Sequence, residues 1–404
     1  MLKLLIIADD LTGALDTGVQ LARRGVDTQV LLYEGRGTVR NAVTAGTLVV
    51  DTESRHLPPA RAGEITAELV QEALESGVEF IYKKTDSALR GNLGTELMAA
   101  ARTAGVRPVP FLPAWPENGR TTLAGVHYIH GAPLAETDLA ADVLNPITSS
   151  RVAEILSTEE SLDVKIVAAG ERIWPCTGDV LVFDAQTGEH VDTVAELLCR
   201  RGMLRLTAGC ARLLQGLSSE LASVLPRREK TETGELGTVL LACGSLNPAS
   251  LRQVRYAVRH LGYRLVSPDG APAASGPAVI PEGRRLLLRS NRAENLEEVR
   301  QTLVGMAPDQ IEETAQQTAQ AMGARISEIM AQRDIGTLIV FGGDTLAAAV
   351  KHLGIHVLEP LSELVPGVAL CRTSVGGKTL NLVTKAGSFG DEALAEHIEK
   401  ALDI

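Results

Sequence analysis

The chain is 404 residues long, 45% hydrophobic and 22% charged, which is the composition of a globular protein rather than a fibrous or disordered one. Its 39 lysines and arginines are outnumbered by 50 aspartates and glutamates, and the net charge of −11 repels nucleic-acid phosphates. No apolar run approaches the ~18 residues of a membrane span. We therefore expect neither a nucleic-acid-binding nor a membrane protein.

Length and cysteine usage narrow the class further. A chain of this size predicts two domains. Its five cysteines are widely spread and form no C-x-x-C pair, which indicates neither a zinc ribbon nor a disulfide framework. The first apolar run ends at Asp9 and is too short for the core of a signal peptide, so we expect a cytoplasmic protein. The 38 glycines are the unusual feature, because each leaves the backbone free of a Cβ.

Short aliphatic runs alternate with amphipathic stretches in the first half of the chain, as in βαβ units. The runs are nearly continuous rather than alternating, which predicts a parallel sheet covered on both faces. The predicted strands are Leu4–Ala8, Thr28–Leu32, Thr47–Asp51, Phe80–Lys83 and Val109–Pro113. The predicted helices are Gly13–Arg24, Ala60–Glu75 and about Thr95–Thr103.

A polar stretch between Leu225 and Gly237 predicts a linker between domains 1–226 and 237–404. Afterwards the alternation restarts. The predicted elements are strands Thr238–Cys243, Arg285–Leu288 and Thr337–Phe341, helices Ser250–Leu261 and about Ala293–Gln332, a helix beginning near Thr345, and a loop at Gly270–Gly276. The fold class is therefore two α/β domains with mainly parallel sheets, and we expect an active-site cleft between them.

Polar residues follow the predicted strands at their carboxyl ends, where open α/β sheets bind ligands. The adjacent acids Asp9 and Asp10 could hold a polyol or act as a base, although Asp10 or Thr12 could simply cap the next helix. Arg55, beside Ser54, could clamp a carboxylate bidentately, and a surface pair with Glu53 is the alternative. Both clusters are candidates for substrate binding.

The densest cluster is Lys83–Glu96, with three cations, two acids, several hydroxyls and two glycines ahead of a helix. Free N–H groups at a helix N-terminus favour an anion, so this cluster predicts a small-anion site, although a solvated loop could have the same composition. Its candidate binding residues are Lys84, Asp86, Arg90 and Asn92. The later stretch Pro113–Thr121 combines prolines, an arginine and an amide and suits a loop that lines a polar pocket; packing of Trp115 is the alternative.

Glycine-rich turns follow two strands of the second half. Gly244–Pro248 follows one strand, and Gly342–Thr345 follows another and opens a helix. Such turns let the backbone approach phosphates, although they also occur for packing alone, and the late stretch Thr384–Gly390 adds a third. The sequence has no Walker A loop, nucleophile elbow, His-Glu-x-x-His metal motif or Gly-x-Gly-x-x-Gly after the first strand. Together the turns predict a nucleotide site.

Five ordered motifs together resemble the four-carbon acid sugar kinases. They are Ala8–Ala14, Asp51–Arg55, Lys84–Ser87 with Arg90–Asn92, Gly342–Thr345 and Lys385–Gly390. The resemblance implies an N-terminal substrate-binding domain, a C-terminal nucleotide-binding domain and phosphorylation of the terminal hydroxyl of threonate, erythronate or 3-oxo-tetronate by ATP. By motif it implies ATP contacts at Ser245, Gly342, Gly343, Asp344, Thr345 and Gly387. One departure is Ala386, where the family more often has serine.

The residue types in the two halves of the chain agree with a substrate-binding first domain and a nucleotide-binding second domain. An acid sugar needs a cation for its carboxylate and acids or amides for its hydroxyls, which the first half supplies. Phosphoryl transfer needs Mg²⁺ on the phosphates and a carboxylate for the hydroxyl proton, for which the candidates are Asp10, Asp86 and Asp344. The rival hypotheses are a non-catalytic sugar-acid sensor, which would not need the nucleotide-like turns, and a dehydrogenase, which would need the missing glycine motif. We expect a homodimer only from the frequency of dimers among soluble enzymes.

Overall fold

The computed structural model describes residues 2–41, 45–137, 147–157, 161–172, 177–228, 233–266, 279–290, 297–298, 306, 308–385 and 389–404. The chain divides into two compact units, Met1–Glu229 and Lys230–Ile404. No helix among the described residues is long and apolar enough to cross a membrane.

The N-terminal unit is a parallel α/β sheet with a small antiparallel sheet after its fifth strand. Its strands are β1 Leu4–Ala8, β2 Thr28–Leu32, β3 Thr47–Asp51, β4 Phe80–Lys84, β5 Val109–Leu112, β6 Arg120–Leu123, β7 Val126–Ile129, β8 Ala132–Pro133, β9 Val164–Val167, β10 Val180–Phe183 and β11 Leu206–Gly209. Its helices are α1 Leu11–Ala22, α2 Thr38–Asn41, α3 Pro59–Glu75, α4 Leu93–Ala104, α5 Val152–Leu156, α6 Gly188–Arg200 and α7 Ala211–Val224.

The strand order in the large sheet of this unit is β2-β3-β1-β4-β11-β5-β10-β9, and neighbouring strands run parallel. Leu5 and Ile7 of β1 pack with Leu69 of α3 and Leu97 of α4 in one core cluster. Alternate residues of β1 point to the opposite face and are buried as well. The continuous aliphatic runs are therefore explained by burial on both faces.

The C-terminal unit combines a parallel sheet with an antiparallel meander. Its strands are β12 Thr238–Cys243, β13 Arg264–Leu265, β14 Arg285–Arg289, β15 Ile335–Phe341, β16 Val357–Val365, β17 Val368–Val375 and β18 Lys378–Lys385. Its helices are α8 Pro248–His260, α9 Pro308–Gln332, α10 Gly343–His352 and α11 Leu394–Leu402. The strand order is β13-β14-β12-β15-β18-β17-β16; the first five strands are parallel, and β18, β17 and β16 pair antiparallel.

Most predicted elements are confirmed, and the departures have local causes. The first helix begins at Leu11 rather than Gly13, because the Asp10 side chain caps it. The long helix predicted from Ala293 is observed from Pro308, and residues 291–296, 299–305 and 307 lie outside the described part of the chain. The predicted loop Gly270–Gly276 also lies outside it.

Candidate functional site

Three loops meet at the carboxyl edge of the N-terminal sheet. Strands β1, β3 and β4 are neighbours, with Ala8 opposite Asp51 and Ile7 opposite Lys83. The backbone N–H of Arg55 bonds to the Asp9 carbonyl at 3.4 Å, which joins the loops that follow β1 and β3. The sheet topology therefore brings the first three predicted polar clusters together.

Arg55 lies at the centre of this edge. Its Nε donates to Asp9 Oδ2 at 2.8 Å, and its Nη2 lies 2.9 Å from Asp10 Oδ1. The side chain is only 11% exposed, so Arg55 is not the surface residue of the alternative interpretation. Burial alone would raise the pKa of Asp9, but the charges of Arg55, Lys83 and Lys84 outweigh it and lower that pKa. Arg55 thus holds two carboxylates and has less capacity for a third.

Asp10 both caps a helix and presents an open oxygen. Its Oδ1 accepts from the Gly13 backbone N–H at 3.1 Å, which confirms the capping alternative for this residue. Its Oδ2 has no hydrogen-bond partner among the described residues, and the side chain is 26% exposed. Asp9 is 4% exposed, so Asp10 is the more accessible of the adjacent acids.

Asp86 is already paired with a cation. Arg90 Nε donates to its Oδ2 at 2.6 Å, and Arg90 Nη2 lies 3.4 Å from its Oδ1. Burial favours a raised pKa, yet the charges of Arg90, Arg55 and Arg120 hold the pKa of Asp86 well below its ordinary value. A carboxylate so strongly stabilised in its charged form is a weak base.

The predicted binding residues Ser54 and Asn92, together with Lys83, bind other parts of the protein at this edge. Lys83 is fully buried and pairs with Glu96 at 2.9 Å. The hydroxyl of the buried Ser54 donates to the same Glu96 carboxylate. Asn92 Nδ2 donates to the carbonyls of Ser54 and Leu57, both at 2.9 Å. These side chains fix the loops around the site and have little capacity left for a ligand.

Lys84 differs from the other cations of this edge. Its side chain is 5% exposed, and its ammonium forms no ion pair or hydrogen bond with any residue that the structure describes. A Cβ on Gly13 would lie 2.7 Å from Lys84 Nζ and 2.5 Å from Asp10 Oδ1, so the two charged groups flank one point that only glycine leaves open. An ammonium near a carboxylate whose second oxygen, Asp10 Oδ2, is open suits an anionic ligand that also carries a hydroxyl.

Asp51, at the end of β3, is an acid that sequence analysis did not select. Its Oδ1 accepts from the Glu53 N–H at 3.0 Å, whereas the buried Oδ2 has no partner among the described residues. Burial raises the pKa of Asp51 well above its ordinary value, and the charges of Glu53, Asp10 and Asp9 raise it further. Asp51 therefore keeps its proton to a higher pH than an exposed aspartate.

Asp51→Asn is expected to remove a pH-dependent loss of stability. In the unfolded chain the Asp51 carboxyl loses its proton near pH 3.8, whereas in the folded protein it keeps the proton to a higher pH because its pKa is raised. The stability of the wild type therefore falls as the pH rises from 3.8 through the folded-state pKa. Asparagine keeps an oxygen for the Glu53 N–H and has no proton to lose. In urea unfolding between about pH 5 and about pH 8, the free energy of unfolding of the variant should rise relative to that of the wild type. The difference should increase by at most ~1.4 kcal/mol per pH unit. A difference that does not change with pH would contradict this account of Asp51.

The two glycine-rich turns of the C-terminal unit touch each other. Strands β12 and β15 are parallel neighbours, with Cys243 opposite Phe341. A Cβ on Gly244 would lie 1.8 Å from Thr345 Oγ1, and a Cβ on Gly342, where φ is +119°, would lie 3.2 Å from the Ser245 nitrogen. Both glycines are therefore required for the close approach of the two turns.

Two helix N-termini follow these turns. Asn247 caps α8 by accepting from the Ala249 N–H at 2.9 Å, and α10 begins at Gly343 without a side-chain cap. Gly343 and Asp344 are exposed, whereas Thr345 is 4% exposed and packs against Gly244. The free N–H groups at the start of α10 suit a phosphate.

Lys385, at the end of β18, supports the third glycine-rich stretch. Its ammonium donates to Ser250 Oγ of α8 at 2.9 Å, and burial lowers the pKa of Lys385 to about 8. Gln253 of α8 donates to the carbonyls of Phe389 and Asp391, both at 2.9 Å. The motif was identified from its sequence, which includes Lys385, but the contact of Lys385 with α8 and the role of Gln253 were not predicted. The predicted ATP contact Gly387 lies outside the described residues.

Comparison with known proteins gives full-length matches. Family models described as "Sugar-binding N-terminal domain" and "Nucleotide-binding C-terminal domain" match residues 4–217 and 240–395. The chain is 31% identical to the D-threonate kinase of Salmonella typhimurium, covering 97% of this chain and 96% of that protein. It is 26% identical to the D-erythronate kinase of Heliobacterium modesticaldum, covering 98% and 96%. The solved Haemophilus influenzae protein HI1011 shares the fold, with a TM-score of 0.71 at 19% identity over 98% of this chain and 99% of that chain.

Proposed function

Because the chain belongs to the four-carbon acid sugar kinase family, we propose that it transfers the γ-phosphoryl group of ATP to the terminal hydroxyl of a four-carbon sugar acid. A sugar-acid kinase is a phosphotransferase that uses a nucleotide and a small-molecule acceptor. Threonate, erythronate and 3-oxo-tetronate are the proposed acceptors, since kinases for these acids are among the relatives.

The observation that carries the proposal is the arrangement of Lys84 and Asp10. An anionic polyol needs a cation and a hydrogen-bond acceptor close together, and these two groups flank the point opened by Gly13. Neither the Lys84 ammonium nor Asp10 Oδ2 is bonded to another residue in the described ranges. Both groups are thus available to a ligand.

We assign the acceptor hydroxyl to Asp10. In the reaction the acceptor oxygen forms a bond to the γ-phosphorus, and the bond from that phosphorus to the β–γ bridging oxygen breaks, so that ADP leaves. The hydroxyl proton passes to Asp10 Oδ2 and then to solvent. Asp86 remains a candidate for orienting the substrate, but both of its oxygens face Arg90, whereas Asp10 is paired with Arg55 through Oδ1 and keeps Oδ2 open.

The contacting turns of the C-terminal unit are the proposed ATP site. Backbone N–H groups at the start of α10 would bind phosphate oxygens. The Ser245 N–H donates to the Phe341 carbonyl at 3.3 Å, so Ser245 would contact the nucleotide through its hydroxyl. Mg²⁺ is commonly held by substrate phosphates and one or two carboxylates, and the exposed Asp344 in the first turn of α10 fits that requirement. No group of three or more His, Cys, Asp or Glu within the described residues could form a metal site of its own. When bound, Mg²⁺ neutralises charge on the phosphates.

Gly244→Ala is expected to weaken ATP binding about tenfold. The new Cβ would overlap Thr345 Oγ1 and push the two turns apart, and overpacking of this kind costs ~1–3 kcal/mol. Calorimetry with a non-hydrolysable ATP analogue measures the change, and binding of the sugar acid alone should stay as in the wild type. An unchanged affinity for the analogue would count against these turns as the phosphate site.

An ADP-release assay over both enantiomers of threonate and erythronate, and over 3-oxo-tetronate, tests the proposed function. We expect release with at least one acid, and a large loss of that activity in Lys84→Met. Lys378→Met is the matched control, because the Lys378 side chain is 76% exposed and pairs with Asp334. Neither residue belongs to the proposed substrate or ATP site. Binding of an acid without ADP release would favour the sugar-acid sensor instead.

A further inference from the structure

Arg120 is a second cation with unused hydrogen-bond donors. It begins β6, is partly buried and donates from Nη1 to the Ser87 hydroxyl. Its Nε and Nη2 groups form no hydrogen bond with residues in the described part of the chain. Arg55 and Arg90 differ, because each has a carboxylate oxygen within 2.9 Å. Arg120 is therefore the arginine here with the most capacity for an added anion.

The backbone of Arg120 is held on a rigid support. Its carbonyl accepts from the Trp115 N–H at 2.7 Å, and its own N–H donates to the Trp115 carbonyl at 3.0 Å. Two residues further along β6, the backbone of Thr122 forms a bridge with Ala185 beside the end of β10. The side chain thus extends from a hairpin that is fixed to the main sheet.

His127 fixes the same hairpin to the loop that carries Asp86. It is fully buried, and burial lowers its pKa to about 4, so the ring is neutral at physiological pH. Its Nε2 donates to the Ser87 carbonyl at 3.0 Å, and its Nδ1 accepts from the Thr122 hydroxyl at 3.1 Å. The hairpin therefore contacts Ser87 twice, through His127 and through Arg120, and both contacts set the position of the Arg120 guanidinium.

Arg120 and Lys84 act on the same part of the site. Lys84, the last residue of β4, lies opposite Gly209 of the neighbouring strand β11. Cys210 follows Gly209, and its Sγ donates at 3.2 Å to the carbonyl of Ala114, the residue before the Trp115 that pairs with Arg120. Two cations with unused donors thus extend from backbone segments that are joined at the carboxyl edge through Cys210.

We infer that Arg120 binds the carboxylate of the sugar acid, and that Lys84 and Asp10 act at the opposite, hydroxyl end of the same molecule. The inference rests on the proposed function. A guanidinium with two open donor groups matches a carboxylate bidentately, which an ammonium does not. Lys84 Nζ lies beside Gly13, as does Asp10, so its charge would stabilise the negative charge that gathers on the transferred phosphoryl group. Arg120 is then a specificity residue that selects acids over neutral polyols.

The test compares an acid with a polyol that lacks the carboxylate. We expect Arg120→Gln to raise KM for the best acid on the order of 10²-fold with a smaller change in kcat, because a buried charged contact is lost. Threitol or erythritol should be used equally well by variant and wild type, by turnover or, where turnover is too slow, as competitive inhibitors. Arg120→Lys should recover only part of the loss. Arg151→Gln is the matched control, since Arg151 is 65% exposed and its backbone pairs with the same hairpin.

Two outcomes would overturn the inference. Equal losses for acid and polyol in Arg120→Gln would show that the residue only supports the fold, and an unchanged KM for the acid would show that it does not touch the carboxylate. Calorimetry of acid binding in the absence of nucleotide tests the carboxylate contact separately from the proposed kinase activity. Acid binding that depends on Arg120 in a protein that releases no ADP would refute the kinase proposal and leave the carboxylate contact standing.

Discussion

Asp10→Asn is expected to lower kcat by about 10²–10⁴-fold, because the carboxylate that takes the acceptor proton is replaced by a group that cannot. The asparagine oxygen can still accept from the Gly13 N–H and cap α1, so the fold should persist. Arg55 retains its bond to Asp9, which limits the damage to the neighbouring pair. Steady-state kinetics with the best acid, together with thermal unfolding, measures both effects.

Asp86→Asn is the comparison that makes this result decisive. It removes a carboxylate from the same edge, but one held by Arg90 with a pKa well below its ordinary value, against the effect of burial. We expect Asp86→Asn to act mainly on KM and Asp10→Asn mainly on kcat. Near-wild-type kcat in Asp10→Asn would refute the base assignment, and near-wild-type kinetics in both variants would refute the placement of the acceptor at this edge.

Gly13→Ala is expected to reduce kcat/KM by about 10²-fold without unfolding the protein, since displacement of reacting groups by ~1 Å can have an effect of that size. The new Cβ would lie 2.5 Å from Asp10 Oδ1 and 2.7 Å from Lys84 Nζ, so both side-chain ends must move. Alanine also favours the helix over glycine by roughly 0.5–1 kcal/mol, which offsets part of the strain.

Gly63→Ala provides the control for Gly13→Ala. Gly63 also lies in a helix, and the atom nearest to its added Cβ would be the Thr95 methyl carbon at 3.1 Å, with Ala99 Cβ at an ordinary contact distance of 3.8 Å. We expect its kinetics to stay close to wild type. Equal loss of activity in the two variants would mean that the effect of Gly13→Ala reflects helix packing rather than the Lys84 and Asp10 positions.

The sequence predicts the strands that carry the site because their aliphatic runs are continuous. The bounds of β1, β2, β3 and β12 agree with prediction residue for residue. The meander β16–β18 was not predicted. Its strands mix exposed and buried residues and contain Pro360, and they are joined by two-residue turns at Gly367 and at Gly376 with Gly377.

The small sheet β6–β8 was missed for a related reason. Its strands are two to four residues long and partly exposed, so they carry no clear apolar pattern. The loop before it was recognised as polar, but its arginine was not selected as a binding residue. Arg120 gains its significance from contact with Ser87, a residue 33 positions earlier in the chain.

The candidate cations show most clearly what a sequence pattern leaves out. Arg55, Lys84 and Arg90 all follow strands and all suit an anion, so the pattern does not distinguish them. The structure distinguishes these cations by their partners. Arg55 and Arg90 pair with acids of the same edge, whereas Lys84 does not pair with any described residue. A net charge of −11 favours such pairing, and at this edge a cation with unused donors marks the place for an anionic ligand.

Two-dimensional ¹H–³¹P NMR of the product formed from ATP and the best acid shows directly which hydroxyl is phosphorylated. We expect a phosphate on the terminal carbon, with its phosphorus coupled to the two protons of that carbon, and one ADP formed for each phosphorylated acid. A phosphate on an inner carbon, or inorganic phosphate without any phosphorylated acid, would contradict it.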